Sequence, residues 1–165
     1  STGSLGQGLS AAVGMALAGK FKKQNYRVYS ILGDGELEEG QIWEALMSAA
    51  KYGLDNLCVI VDVNGLQIDG PTKNVMPMEP LADKFTAFGC SVIETDGHNF
   101  DTLEKAFRAA RDVRGRPAAI LAHTVKGKGI SFMENKVGWH GKAPKEEEYL
   151  QAMAELTAAL TRAEV

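Results

Sequence analysis

Apolar and polar positions alternate along this chain with two different periods, and the changes of period mark its elements. From Gln7 to Lys23 small and apolar residues follow one another with few charges, and two lysines close the run. That pattern predicts a buried helix with cations near its C-terminus. "YRVYSIL" (26–32) is rich in β-branched and aromatic residues and stops at a Gly-Asp-Gly turn, as a strand does. "EEGQIWEALMSAAKYG" (38–53) sets Ile42, Leu46 and Ala49 or Ala50 at helical spacing and ends at Gly53, which suits a C-cap. "LCVIVDV" (57–63), almost continuously apolar, fits a central strand covered on both faces. The theme then repeats: a short helix in "PLADKFTAFG", a strand in "CSVIET", a helix in "FDTLEKAFRAARDV" and a strand in "PAAILAHTV". A Gly- and Lys-rich loop follows, and then an amphipathic helix in "KEEEYLQAMAELTAAL". Strands alternating with helices predict an α/β fold, a doubly wound and mostly parallel sheet with helices on both faces. The expectation is one domain over 1–165, with a functional loop at 124–144 and a terminal helix at 145–162.

Composition narrows this picture. A chain of 165 residues that is 45% hydrophobic and 24% charged can bury a single core and has no disordered character. No apolar run approaches the roughly 18 residues of a spanning helix, and no basic-then-apolar leader opens the chain, so a soluble cytoplasmic protein is expected. The net charge of −3 offers little to nucleic acid or to an anionic membrane, so neither is expected as a partner and any anionic ligand must be held locally. Cys58 and Cys90 lie in or beside strand-like runs and read as buried, reduced thiols. The chain opens at "STGSLGQG", in what reads as a functional loop, which suggests an excerpt of a longer product.

The candidate chemistry lies in "GDGELEEG" (33–40), where Asp34, Glu36, Glu38 and Glu39 crowd together. Ligand sites in open parallel sheets lie beyond the carboxyl ends of the strands. A helix of about 14 residues travels roughly 21 Å back from this turn, and the strand 57–63 returns roughly 23 Å. Asn64 therefore arrives on the same edge as Asp34. Asp34 offers an anionic oxygen, the Asn64 amide a neutral one, and the chain leaving as "NGLQIDG" can turn in a backbone carbonyl, expected to be that of Leu66. Three such oxygens suit Mg²⁺, or Ca²⁺ or Mn²⁺ in its place, with water and substrate phosphates completing the shell. A diphosphate is the expected partner, with Gly33 and Gly35 allowing close backbone approach and the helix start near Glu38 offering unpaired N–H groups. Glu36 and Glu38 are expected to be structural, since carboxylates are common at helix N-termini. Gly-Asp-Gly and Asn-Gly are each weak signals alone, but they gain weight when a strand precedes each. No G-x-G-x-x-G follows a strand, and "DGELEE" lacks the alternating ligands of a calcium loop.

These residues resemble the thiamine diphosphate motif, which opens at Gly-Asp-Gly and closes at an Asn about thirty residues on. More narrowly, "TGSLGQGLSAAVGMALAGK", "GDGELEEGQIWEA", "DNLCVIVDVNGLQIDG" and "HTVKGKGISFMENKVGWHGKAP" resemble transketolase, in particular the N-terminal subunit of bacterial transketolases split over two chains. The resemblance covers nearly the whole chain. It implies the thiamine diphosphate-binding fold, with Asp34, Asn64 and the Leu66 carbonyl on magnesium and Gly35 with Asn64 on the diphosphate. It implies that Gly3, Ser4 and Leu5 line the cofactor, although many relatives carry Pro where this chain has Ser4. Ile68 would form an apolar wall near the thiazolium, and Lys126 and His140 would reach the diphosphate and the reacting centre. Read without the family, Lys126 is a solvated loop lysine, while His140, between Trp139 and Gly141, reads as a structural residue or as a gate or proton donor. Glu39 and Glu44 match carboxylates that couple paired active sites near the subunit interface, and Glu44 reads equally well as a polar face residue. Asp96-Gly97-His98-Asn99 reads as a turn and helix cap, not as a ligand set.

The implied activity is transfer of a two-carbon ketol unit from a ketose phosphate to an aldose phosphate, as in the pentose phosphate pathway, with the chemistry carried by the cofactor. The implied partners are a C-terminal subunit carrying the pyrimidine-binding domain, which supplies the activating glutamate, sugar phosphates, and further copies of the chain in a dimer or other homo-oligomer. Several substrate-contacting histidines of the family belong upstream of "STGSLGQG", so the isolated chain is expected to be inactive and to expose apolar surface. Two other readings stay open: a sibling thiamine enzyme such as deoxyxylulose phosphate synthase or a 2-oxo acid dehydrogenase E1, and a non-catalytic scaffold that keeps the fold.

Overall fold

The expected alternation is realised as α1 (Gln7–Phe21), β1 (Val28–Gly33), a 3₁₀ turn (Gly35–Glu38), α2 (Gly40–Lys51) and β2 (Leu57–Val63). A small hairpin of β3 (Leu66–Gln67) and β4 (Gly70–Pro71) follows, then α3 (Thr72–Val75), α4 (Leu81–Ala87), β5 (Ser91–Asp96), α5 (Phe100–Asp112), β6 (Ala118–His123), a 3₁₀ turn (Val137–Trp139) and α6 (Glu146–Ala163). The structure, a computed structural model, describes residues 3–163, so Ser1 and Thr2 of the opening loop lie outside it.

Four strands form one parallel sheet in the order β1-β2-β6-β5. Their side chains alternate between its faces. Leu57, Val59 and Val61 of β2, with Ala119 and Leu121 of β6, bury themselves under α1, α2 and α4, where Phe85 and Leu46 are fully enclosed. The intervening Cys58, Ala118 and Ile120 pack instead under Ala106 and Ala110 of α5. Burial on both sides is why β2 reads as an unbroken apolar run. Trp43 of α2 ties the larger core together by packing on Phe85 and Phe88 and donating its indole N–H to the Leu37 carbonyl (2.9 Å).

The second face is only partly covered. On β1, Leu32 turns into the larger core, but Ile31 points to the other side and is 73% exposed, with the half-exposed Tyr29 beside it in T-shaped contact with Phe107. Helices therefore lie on both faces, three against one.

Local chemistry sets the element ends. Asn99 caps α5 by accepting from the amides of Asp101 (3.0 Å) and Thr102 (3.2 Å), the cap read from the sequence. α1 stops at Phe21, short of the predicted Lys23, which takes a positive φ of 53° just beyond the helix. The β3–β4 hairpin was not foreseen, because two-residue strands carry no readable period. Cys58 and Cys90 are buried free thiols, which burial pushes up to about 11 and about 12. Among the described residues no helix is long and apolar enough to cross a membrane.

Candidate functional site

Because the strands are parallel, β1, β2, β6 and β5 all end on one edge, at Gly33, Val63, His123 and Asp96. A belt of hydrogen bonds ties the residues just past those ends together. The Asp34 amide donates to the Asp62 carbonyl (3.2 Å), and the Asp34 carboxylate accepts from the Gly65 amide through Oδ2 (2.6 Å) and from the Gly35 amide through Oδ1 (2.9 Å). Asn64 sits in the same turn, its Oδ1 accepting from the Leu66 amide (3.1 Å). Next along the edge, the Thr124 amide donates to the Val63 carbonyl (3.1 Å) and its hydroxyl to the Asp62 carboxylate. The Gly97 amide then reaches the His123 carbonyl (2.8 Å). The thirty-residue separation of Asp34 and Asn64 thus closes to neighbouring strand tips, as the lengths of α2 and β2 require.

Asp34 is 5% exposed. Burial raises its carboxyl above the ordinary value, the Gly65 and Gly35 amides pull it back, and the nearby Asp62 charge adds to the rise. A buried carboxylate beside a second one is what a dication relieves. Among the described residues no three His, Cys, Asp or Glu side chains converge, so an ion here has to draw on amide and carbonyl oxygens as well. The surroundings leave room for it. A Cβ on Gly33 or Gly65 would meet nothing within 4 Å, and Gly65 has a φ of +74° that favours glycine. Gln67 packs against Gly35, where a Cβ would come within 2.9 Å of the Gln67 Cβ, and the Gln67 Oε1 is buried without a partner. Hard oxygens of this kind suit a magnesium-sized ion.

Lys126 lies on the same edge. With Asp62, His98, Thr124 and Ile130 it lines a cavity of about 490 Å³. Its loop is pinned at both ends: the Asn135 amide donates to the Lys126 carbonyl (2.9 Å), and the Val125 amide donates to His98 Nε2 (2.7 Å). His98, read only as part of a turn, therefore fixes the lysine loop. His98→Ala should hand the Val125 amide to water, at a cost of about 0.5–1.5 kcal/mol, and speed hydrogen exchange at Val125 and Lys126 several-fold while leaving exchange in β2 unchanged.

The sequence of the chain over residues 1–159 matches the family model described as transketolase, thiamine diphosphate binding domain. It belongs to that family. Curated relatives include the 6-deoxy-6-sulfo-D-fructose transketolase subunit SqwG of Clostridium sp. (strain MSTE9), 50% identical over 94% of this chain and 56% of that protein. An apulose-4-phosphate transketolase subunit of Phocaeicola vulgatus is 43% identical over 99% of this chain and 58% of its own length. The chain thus spans a little over half the length of these relatives. Among solved structures, the crystal structure of transketolase from Campylobacter jejuni superposes with a TM-score of 0.89 at 32% identity, covering 94% of this chain and 26% of that one.

Against this transketolase frame the remaining site expectations divide. Asp34, Gly35, Asn64, Leu66 and Lys126 gather on one edge. Gly3, Ser4 and Leu5 form the exposed loop before α1, which Glu36 ties to the same edge by accepting from the amides of Gly6 (2.9 Å) and Gly33 (3.2 Å). Glu36 is structural, as expected, but as a clamp between two loops and not through a helix macrodipole. Ile68 stands at the hairpin tip, 67% exposed. Glu39 and Glu44 are exposed at the start and on the outer side of α2. His140 is exposed after the 3₁₀ turn, beside Trp139, which packs on Phe132 and lies under the Lys142 ammonium (4.1 Å to the ring centroid). Among the described residues no hydrogen bond ties His140 to the Asp34 edge; its amide donates to the Val137 carbonyl (2.9 Å). Asp62 and Thr124 are edge residues that sequence reasoning passed over. The available signal was a carboxylate inside the otherwise apolar "LCVIVDV".

Proposed function

We propose that this chain holds the diphosphate end of thiamine diphosphate through a divalent cation, magnesium in the first instance, as one part of a split transketolase. Asp34, the Asn64 amide and the Leu66 carbonyl are the ion's protein ligands. Gly33, Gly35, Asn64 and Lys126 face the diphosphate, Gly3, Ser4, Leu5 and Ile68 the rest of the cofactor. The observation that carries this reading is the Asp34 carboxylate bonded to the Gly65 amide, since it joins the two halves of the motif at one point. Gln67 Oε1 supports it as a buried oxygen with no partner beside that point. When bound, the cofactor supplies the nucleophilic carbon that carries the two-carbon unit. This chain's residues bind and orient it: Lys126 offsets phosphate charge, and His140 serves as an exposed gate or proton donor over the reacting centre.

The fuller assembly pairs the chain with a C-terminal subunit bearing the pyrimidine-binding domain, takes sugar phosphates as substrates in the cytoplasm, and joins two copies, with Glu39 and Glu44 near their interface. Names of relatives that specify a transketolase subunit support the first element, and the exposed Ile31 and Tyr29 support further association. Calorimetry of the chain with thiamine diphosphate tests the core of the proposal. Binding should require Mg²⁺ and disappear with a chelator, while ketol transfer should appear only when the partner subunit is added. Metal-independent binding, or no binding with the partner present, would refute it.

A further inference from the structure

At the amino ends of the strands, on the edge opposite Asp34, lies a cavity of about 420 Å³ whose lining includes Lys20, Arg27, Arg111, Arg114, Asp55 and Asn56. Four cations surround one carboxylate there, in a chain whose net charge is −3. The carboxylate is already engaged: Asp55 pairs with the Lys20 ammonium (2.8 Å) and accepts from the Gly115 amide (2.8 Å). Two guanidinium groups are braced on the end of α5. Arg27 Nη2 donates to the Ala110 carbonyl (2.9 Å), and Arg114 Nη1 to the carbonyls of Arg111 (2.7 Å) and Val113 (2.9 Å). These bonds cover the helix's negative end, which would otherwise repel an anion.

Two atoms of these lining residues are buried and have no partner. Arg27 Nε donates to nothing, and Asn56 Oδ1 accepts from nothing although its Nδ2 donates to the Ala16 carbonyl (2.9 Å). Buried polar atoms are almost always paired. Both atoms lie beneath the accessible surface, so what the cavity offers an anion is the positive charge and the guanidinium groups of its lining arginines. We infer that this cavity binds a small oxyanion of the phosphate class, with Arg27, Arg111 and Arg114 donating to its oxygens. The inference does not rest on the proposed cofactor site, which a six-residue strand of about 20 Å separates from it.

Amide chemical shifts of the full chain, titrated with inorganic phosphate, with ribose 5-phosphate and with chloride at matched ionic strength, test it. The expected result is saturable change centred on Arg27, Asn56 and Gly115 with either phosphate and none with chloride; the tighter of the two identifies a phosphate ester or the free ion as the source. Arg111 is exposed, so Arg111→Glu should keep the thermal midpoint and weaken binding at least about tenfold, whereas Lys126→Ala, on the far edge, should not change it. No saturable change, an equal response to chloride, or an unaltered affinity in Arg111→Glu would overturn the inference.

Discussion

Asp34→Asn is expected to weaken magnesium-dependent binding of thiamine diphosphate by at least about a hundredfold while leaving the fold in place. Removing a carboxylate usually confounds binding with stability, and Asp34 bonds the amides of both Gly35 and Gly65. Asparagine keeps the shape and an oxygen for one of those amides, but its NH2 then faces the other amide, donor against donor, so the charge and one hydrogen bond are lost. The stability cost should be about 1–3 kcal/mol for the stranded amide, offset in part because the buried carboxylate it replaces was itself penalised by desolvation and by Asp62. The proposed ion would feel the full change, since an amide attracts a dication far less than a carboxylate does. Calorimetry with the cofactor and Mg²⁺, set beside thermal unfolding of both proteins, separates the two effects. Binding within about threefold of the parent would show that Asp34 is not the anionic ligand. Asp34→Ala is the poorer variant, as it strands two amides.

What could be read in advance follows from how local each feature is. The strands and helices of the parallel sheet were legible because each carries its own period, and β2 was legible as central because burial on both faces leaves no polar alternation. The meeting of Asp34 with the Asn64 turn was legible because both follow strands and the connecting helix and strand have nearly equal lengths. The strand order was not, since β6 enters between β2 and β5 through contacts no single segment encodes. His98 shows a different limit. Its backbone belongs to the cap of α5, which the sequence displays, but its ring accepts from Val125, 27 residues on, and only the pairing of β5 with β6 brings them together. Composition places Glu36 at a helix terminus, yet its oxygens go to Gly6 and Gly33, because the loop before α1 folds over the same edge. Single-residue chemistry was visible in the sequence; its partners were visible only where two strands end together.

The lysine loop yields the second large effect. Gly127→Ala should disorder residues 125–135 and lower cofactor affinity by about tenfold or more, although Lys126 itself is untouched. Gly127 has a φ of +74°, and a Cβ there would lie 2.6 Å from the Met133 carbonyl oxygen and 2.8 Å from its carbon. Left-handed backbone alone costs an L-residue about 1–2 kcal/mol, and the contact adds overpacking against main chain that no rotamer can relieve, for a total of about 2–4 kcal/mol. The loop cannot retreat without breaking the bond from the Asn135 amide to the Lys126 carbonyl, so strain at Gly127 reaches the lysine directly. Gly129 provides the internal comparison. Its φ of +97° is also unfavourable for alanine, but its Cβ would meet only Leu156 Cδ2 at an ordinary 3.5 Å. Gly129→Ala should therefore cost only the backbone's share, about 1–2 kcal/mol, and change binding much less. Hydrogen exchange across 125–135, with calorimetry on both variants, gives the ordering; equal effects from the two substitutions would mean that backbone conformation, and not the close approach to Met133, holds Lys126 at the edge.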